Sequence, residues 1–359
     1  MTTRSLLARI VFWMAVGTAA GCVRGGDRDA GALTTARARA GATDDGETVG
    51  ILELLEMYAP GGSADRATAL GKRLDGLAHE GMWASLAQAI DDEAHGAPIA
   101  SASAYVRALA AASRSADTRA PLVGWFAVRH LIGLRGSVSQ LYHQYKPVLE
   151  RVLVQPGRIG WRAVAELQDW RALELYDRAE LSVDAYDDDV VRRMGCARGI
   201  RLAGPFGHGS ATDALRSFPA ESIEPWPRSW AADPIRGTVP HLLTVVQKRC
   251  MAVADEQVQD GVFYVETFFS TGSARDVLIA VQGADTIWVD GTKVLSRSVR
   301  EWGSWQRFGT HVLVGEGRHR ILARTLTAGA SVRLLNPDGT SANLTADSDP
   351  RPAVTLAPP

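Results

Sequence analysis

The chain has little of what usually announces a function. Its 359 residues include three cysteines, Cys22, Cys196 and Cys250, which excludes a densely cross-linked small scaffold. There is no His-Glu-Xaa-Xaa-His and no Cys-Xaa-Xaa-Cys, and the eight histidines are scattered, so neither a metal nor a cofactor is expected. Thirty-nine basic residues against forty acidic ones give a formal charge of -1. No whole-protein field draws such a chain to nucleic acid, and no nucleic-acid partner is expected. The apolar run near the N-terminus, Ile10 to Ala20, has eleven residues, well short of the ~20 that cross a hydrocarbon core as a helix.

That run does fit an export leader. Arg4 and Arg9 precede it, and the small residues Ala19, Ala20 and Gly21 close it, so residues 1–21 are expected to be a signal peptide. The stretch Ala19-Ala20-Gly21-Cys22 resembles the lipobox of bacterial lipoproteins, with Ala where Leu is usual at the first box position. The resemblance implies cleavage before Cys22 and lipidation of its thiol. Each buried CH₂ of an acyl chain contributes about 0.8 kcal/mol, so several chains on one residue make a lasting membrane anchor. The competing reading is an ordinary signal peptide that leaves Cys22 a free thiol. Val23 carries no inner-membrane retention signal, which points an anchored protein toward the outer membrane of the cell envelope.

A hydrophobic fraction of 46% is that of a packed globular protein, and the length suits two domains. Residues 22–47 are rich in Gly, Ala, Thr, Asp and Arg and read as a flexible tether behind the lipid. In residues 48–194 apolar residues recur at helical spacing, as in Ile51, Leu54, Leu55 and Tyr58. Further helices are expected at Ala64–Ala78, Met82–Ala94, Ser101–Ala112, Pro121–Leu134, Val138–Val154 and Trp161–Arg178. No 34-residue period of the tetratricopeptide kind emerges, so this is read as an irregular α-helical repeat-like domain. Over 195–336 the period falls toward two, and strands are expected at Ile200–Phe206, Leu242–Gln247, Val262–Phe269, Val277–Gln282, Thr286–Asp290, Gln306–Val314, His319–Thr325 and Ser331–Leu335. Asp290-Gly291 signals a hairpin into Lys293-Val294-Leu295. The fold class expected is α+β multidomain, a helical domain followed by an antiparallel β-sandwich. Residues 337–359, with Pro350, Pro352, Pro358 and Pro359, read as a disordered tail.

The succession Phe263-Tyr264-Val265-Glu266-Thr267, Val277-Leu278-Ile279-Ala280-Val281, Ile287-Trp288-Val289-Asp290-Gly291-Thr292-Lys293-Val294 and Val314-Gly315-Glu316-Gly317-Arg318-His319-Arg320-Ile321-Leu322 resembles the galactose-binding-like jelly roll found beside many glycosidases. Gly204-Pro205-Phe206-Gly207 with Trp302-Gly303-Ser304-Trp305 resembles the non-catalytic N-terminal region of large envelope proteins of myxobacteria and relatives that continue into transglutaminase-like or tetratricopeptide modules. These resemblances imply a non-enzymatic binding or scaffold module. The alternative is an accessory or truncated part of a transglutaminase-like or peptidase envelope enzyme.

Candidate chemistry is sparse. Cys196 and Cys250 can pair in an oxidising compartment, or stand as two buried thiols; Cys196 with His208 or His241 is a remote nucleophile and base. Ser210 lacks the glycine two places on that a nucleophile elbow needs. His130 and His319 read as partly buried structural residues, and Asp187-Asp188-Asp189 as a solvated run with a weak claim on calcium. The strongest cluster is late in the chain. Alternation puts Arg318, Arg320 and Arg324 on one strand face, expected to be wet, and Arg307 lies on the preceding strand beside Trp302 and Trp305. Aromatic platforms with bidentate donors suit a glycan or an anionic polymer. The alternative is that these arginines solubilise the sheet or pair with Glu301 and Glu316, while the tryptophans pack inside.

Overall fold

The computed structural model describes residues 81–177, 191–208, 213, 216–222, 225–234, 237–248, 250–297 and 307–350. The expected leader, Cys22, the tether, the first two expected helices, Asp187 to Asp189, Ser210, Trp302 and Trp305 lie outside them. Helices come first and two antiparallel sheets follow, an α+β arrangement with a sandwich-like part. The chain divides into two compact units, the first ending at Trp170 and the second starting at Arg171.

Five α-helices are described: α1 Met82–Ala94, α2 Pro98–Arg114, α3 Ala120–Gly133, α4 Leu141–Val154 and α5 Trp161–Asp177. The spacing of apolar residues explains them. In α1, Met82, Leu86, Ala89 and Ile90 fall on one buried stripe, and in α2 Ala102, Tyr105, Leu109 and Ala112 do the same. Proline sits in the first turn of α2, where its missing N–H is not needed. Ala89, Ala104 and Ala108 are fully buried, so small side chains bring the helices close, and the Ser101 hydroxyl donates across to the Ala89 carbonyl at 2.8 Å. At Gly124 of α3 a Cβ would lie 2.6 Å from the Ile159 carbonyl oxygen; only glycine permits that approach. Tyr142 of α4 meets Trp170 of α5 edge-on at 5.1 Å. No described helix is long and apolar enough to cross a membrane.

The second unit holds twelve described strands: β1 Arg201–Phe206, β2 His241–Leu243, β3 Val245–Lys248, β4 Met251–Ala254, β5 Val262–Thr271, β6 Arg275–Gln282, β7 Ala284–Val289, β8 Thr292–Ser296, β9 Arg307–Val314, β10 Gly317–Thr325, β11 Gly329–Leu335 and β12 Ala346–Asp347. They form a larger sheet in the order β2-β1-β5-β10-β7-β8, with β12 added beside β5, and a smaller one in the order β3-β4-β11-β6-β9. Alternation turns Phe263, Val265, Phe269, Ile287, Ile321 and Ala323 of the first sheet toward Val277, Ile279, Val281, Phe308, Val332 and Leu334 of the second, and these make the core. Asp290 and Gly291 join β7 to β8, both at positive φ, as the hairpin signal requires. Cys196 and Cys250 stand at disulfide distance with Cα atoms 5.1 Å apart, in a cluster with Ala172, Val191 and Met194.

The expected tail needs correction. The region after 336 does not all read as tail: through residue 350 the chain folds back on the sandwich. Ser341 bridges to Leu335, Ala342 and Ala346 are buried, and Ala346 and Asp347 pair with Phe269 and Phe268. Prolines and polar residues stop a helix, but they do not prevent a short edge strand. The strand β4 is not signalled by alternation, because Met251-Ala252-Val253-Ala254 has no polar residue; it pairs with β3 in a hairpin and with β11 across the chain.

Candidate functional site

The outer face of the larger sheet carries the arginine cluster. Register places Arg201 of β1 opposite Glu266 of β5, and Glu266 opposite Leu322 of β10, whose neighbours two places away on the same face are Arg320 and Arg324. Glu266 is 0% exposed. Its Oε1 accepts from Arg320 Nε at 2.7 Å and its Oε2 from Arg201 Nη1 at 2.8 Å. A buried carboxylate alone would cost several kcal/mol, and two guanidiniums offset that. Both also lie over the ring of Trp226, Arg201 at 5.5 Å and Arg320 at 5.9 Å from its centroid. Arg324 grips Asp285 with two donors, Nε to Oδ1 at 3.1 Å and Nη2 to Oδ2 at 3.2 Å. Beside them Tyr264 donates to Glu221 at 2.6 Å; burial first, then that hydrogen bond, pushes the phenol well above its ordinary range.

Tertiary placement reverses the expectation of a wet face. Arg320 and Arg324 are each 7% exposed. Phe218, Ala220, Trp226 and Trp230, from the segment between β1 and β2, form a second apolar layer with Phe206, Tyr264, Trp288 and Leu322 on this outer face. Trp226 is fixed there by its indole N–H, which donates to the Ala220 carbonyl at 2.9 Å. The arginines therefore pair inward, with Glu266 and Asp285, and the alternative partner Glu301 lies outside the described residues.

Arg318, at the start of the same strand, meets the chain's own late segment. Its Nη1 donates to Asp347 Oδ2 at 3.1 Å, and its Nη2 bonds both Asp347 Oδ1 and the Asp349 carbonyl. Its guanidinium lies 5.2 Å from the centre of the Phe268 ring. Hydrogen bonding by Arg318 holds the Asp347 carboxyl below the usual range, against the opposing effect of burial. Arg307 is not part of this face. It belongs to β9 in the smaller sheet, where its Nε donates to Gln282 Oε1 at 3.2 Å.

Glu266, Asp285, Asp347, Arg201 and Trp226 were not singled out in the sequence. One signal was legible: Glu266 interrupts the apolar run of β5, and a buried acid in a central strand needs a cation. Among the histidines, His319 is buried, with Nδ1 2.7 Å from Asp290 Oδ2 and Nε2 3.1 Å from the Gly315 carbonyl oxygen. His130 lies 2.9 Å from Glu93, which also accepts from Tyr105 at 2.6 Å. Burial pushes the Glu93 carboxyl up, but the hydrogen bonds from His130 and Tyr105 outweigh it and leave the group below its ordinary range. Among the described residues no group of three His, Cys, Asp or Glu is placed to hold a metal ion. No protein-family model matches the chain, and comparisons with curated proteins and with solved structures find no match.

Proposed function

We propose that the chain is a non-enzymatic lipoprotein of the bacterial cell envelope, anchored through Cys22 on the outer rather than the inner membrane. In this reading an irregular repeat-like helical domain offers partner contacts, and a galactose-binding-like jelly roll serves as a rigid scaffold for a glycan or an envelope protein. The affinity with large myxobacterial envelope proteins belongs to the same proposal. The observation that carries the scaffold reading is the pairing of Glu266 with Arg201 and Arg320 beneath Trp226. Charges that satisfy one another inside the fold hold a platform still and do not themselves present a ligand surface. Against Cys196 as the nucleophile of a transglutaminase-like mechanism, which needs a free thiolate, stands its position at disulfide distance from Cys250.

The decisive experiment is fatty-acid labelling of the wild type and of Cys22→Ser in a bacterial host. Label on the wild type alone is expected, and equal labelling overturns the anchor. Retention of the labelled protein on peptidoglycan or acidic polysaccharide then separates a glycan ligand from a protein partner.

A further inference from the structure

The segment Ala346–Asp349 lies against the sandwich in the manner of a bound peptide. It fills the lane beside β5 that β1 leaves empty: β1 pairs as far as Arg201 with Glu266, and beyond that point Ala346 and Asp347 take up Phe269 and Phe268. Ala346, Asp347 and Asp349 each have a fitted receptor. Ala346 is 8% exposed and packs in the core, where a small side chain is accommodated. The Asp347 carboxylate takes two donors from Arg318, and the Thr267 hydroxyl donates to its carbonyl at 3.3 Å. Asp349 returns its N–H to Asp347 Oδ1 at 2.8 Å and gives its carbonyl to Arg318.

The wall opposite is a glycine. Gly199 has φ +65°, and a Cβ there would lie 2.6 Å from Asp347 Cα and 2.7 Å from Ser348 N. A strand edge left unpaired by its neighbour, a buried small side chain and a charged clamp are the parts of a strand-addition peptide site. The attachment is short, two paired residues, and Asn343 and Thr345 leading into it are exposed. Such a segment is held chiefly because it is tethered close to its slot.

We propose that this slot is an exchangeable site for an extended segment with a small residue followed by aspartate. In the single chain its own residues 346–349 fill it; a second copy of the chain supplies the same segment in trans, since that segment is complementary by construction. This goes beyond the proposed function and stands whether or not Cys22 carries lipid. The probe is a fluorescent peptide of residues 344–350, titrated onto the full chain. Asp347→Ala and Ala346→Arg each weaken or evict the resident segment, and both variants should bind the peptide at least about tenfold more tightly than the wild type, where the tethered segment competes. Adding Arg318→Ala should erase the gain.

The second copy is tested by mixing Ala346→Arg, whose slot is empty, with Gly199→Val, whose slot is blocked and whose segment is free. The mixture should elute as a one-to-one dimer while each variant alone elutes as a monomer. Peptide affinity no greater in both folded slot variants than in the wild type overturns the site. Peptide binding without dimer formation by the mixture overturns the second copy as its occupant.

Discussion

The two units bury different kinds of residue. Up to Trp170 the buried polar side chains among the described residues are Ser85, Ser101 and Gln168, none of them charged, and the rest of the buried residues are aliphatic or aromatic, with alanine at the close helix contacts. From Arg171 onward the interior includes Glu266, Asp285, Arg320, Arg324 and Arg333, each under 9% exposed. Helices can vary their separation with the size of the side chains between them. A sheet cannot, because hydrogen bonds fix its strands about 4.8 Å apart. Once a second layer covers the outer sheet face, any charge already on it must find a partner in place. The helical unit is thus specified by volume and the sandwich by volume plus charge pairing.

This contrast can be broken, and the largest test is Glu266→Ala. It leaves Arg201 and Arg320 facing one another without their shared carboxylate, and the second unit should lose about 3–5 kcal/mol in urea unfolding followed by tryptophan fluorescence. A loss under about 1 kcal/mol would mean the pair is dispensable and the contrast false. Next comes Ala108→Leu. Extra methylenes at a fully buried alanine of α2 should cost about 1–3 kcal/mol, read as a lower thermal midpoint, because the helices must separate. A neutral result would show the helical interior to be loosely specified.

The smallest effect concerns surface charge in the helical unit. Arg119 hydrogen bonds hold Asp117 down to about 2, and Trp83 adds a further donor at 3.3 Å. A carboxylate whose folded value is depressed contributes stability above its unfolded value, near 3.8, and loses it as pH falls toward about 2. Water screens this pair, so Asp117→Asn should cost under about 1 kcal/mol at pH 7, and its gap from the wild type should close between about pH 4 and pH 2. A gap that persists at pH 2 would place the effect in packing instead of charge.

Much of the architecture was legible in advance. Helical spacing gave α1 to α5 within a few residues of their ends, because the residues that define a helical stripe are three and four apart in the chain. The change of period after Cys196 marked the onset of strands, and Asp290-Gly291 marked a hairpin, for the same local reason. Less of the candidate site could be read. Alternation correctly put Arg318, Arg320 and Arg324 on one face, yet nothing local tells whether that face meets water. Trp302 and Trp305, the aromatic half of the expected site, lie outside the described residues, and Arg307 belongs to the other sheet.

By itself, then, the sequence determined the order of helices before strands, the side-chain parity of the strands it signalled and the identities of the cysteines available to pair. Tertiary structure decided which parity is dry and who partners whom. Arg320 and Glu266 are 54 residues apart, Arg318 and Asp347 are 29, and Trp226 covers the first pair from a segment with no regular period of its own. Local patterns follow from the pitch of helix and strand. Burial of an outer sheet face depends on where a distant segment comes to rest, and only the folded chain fixes that.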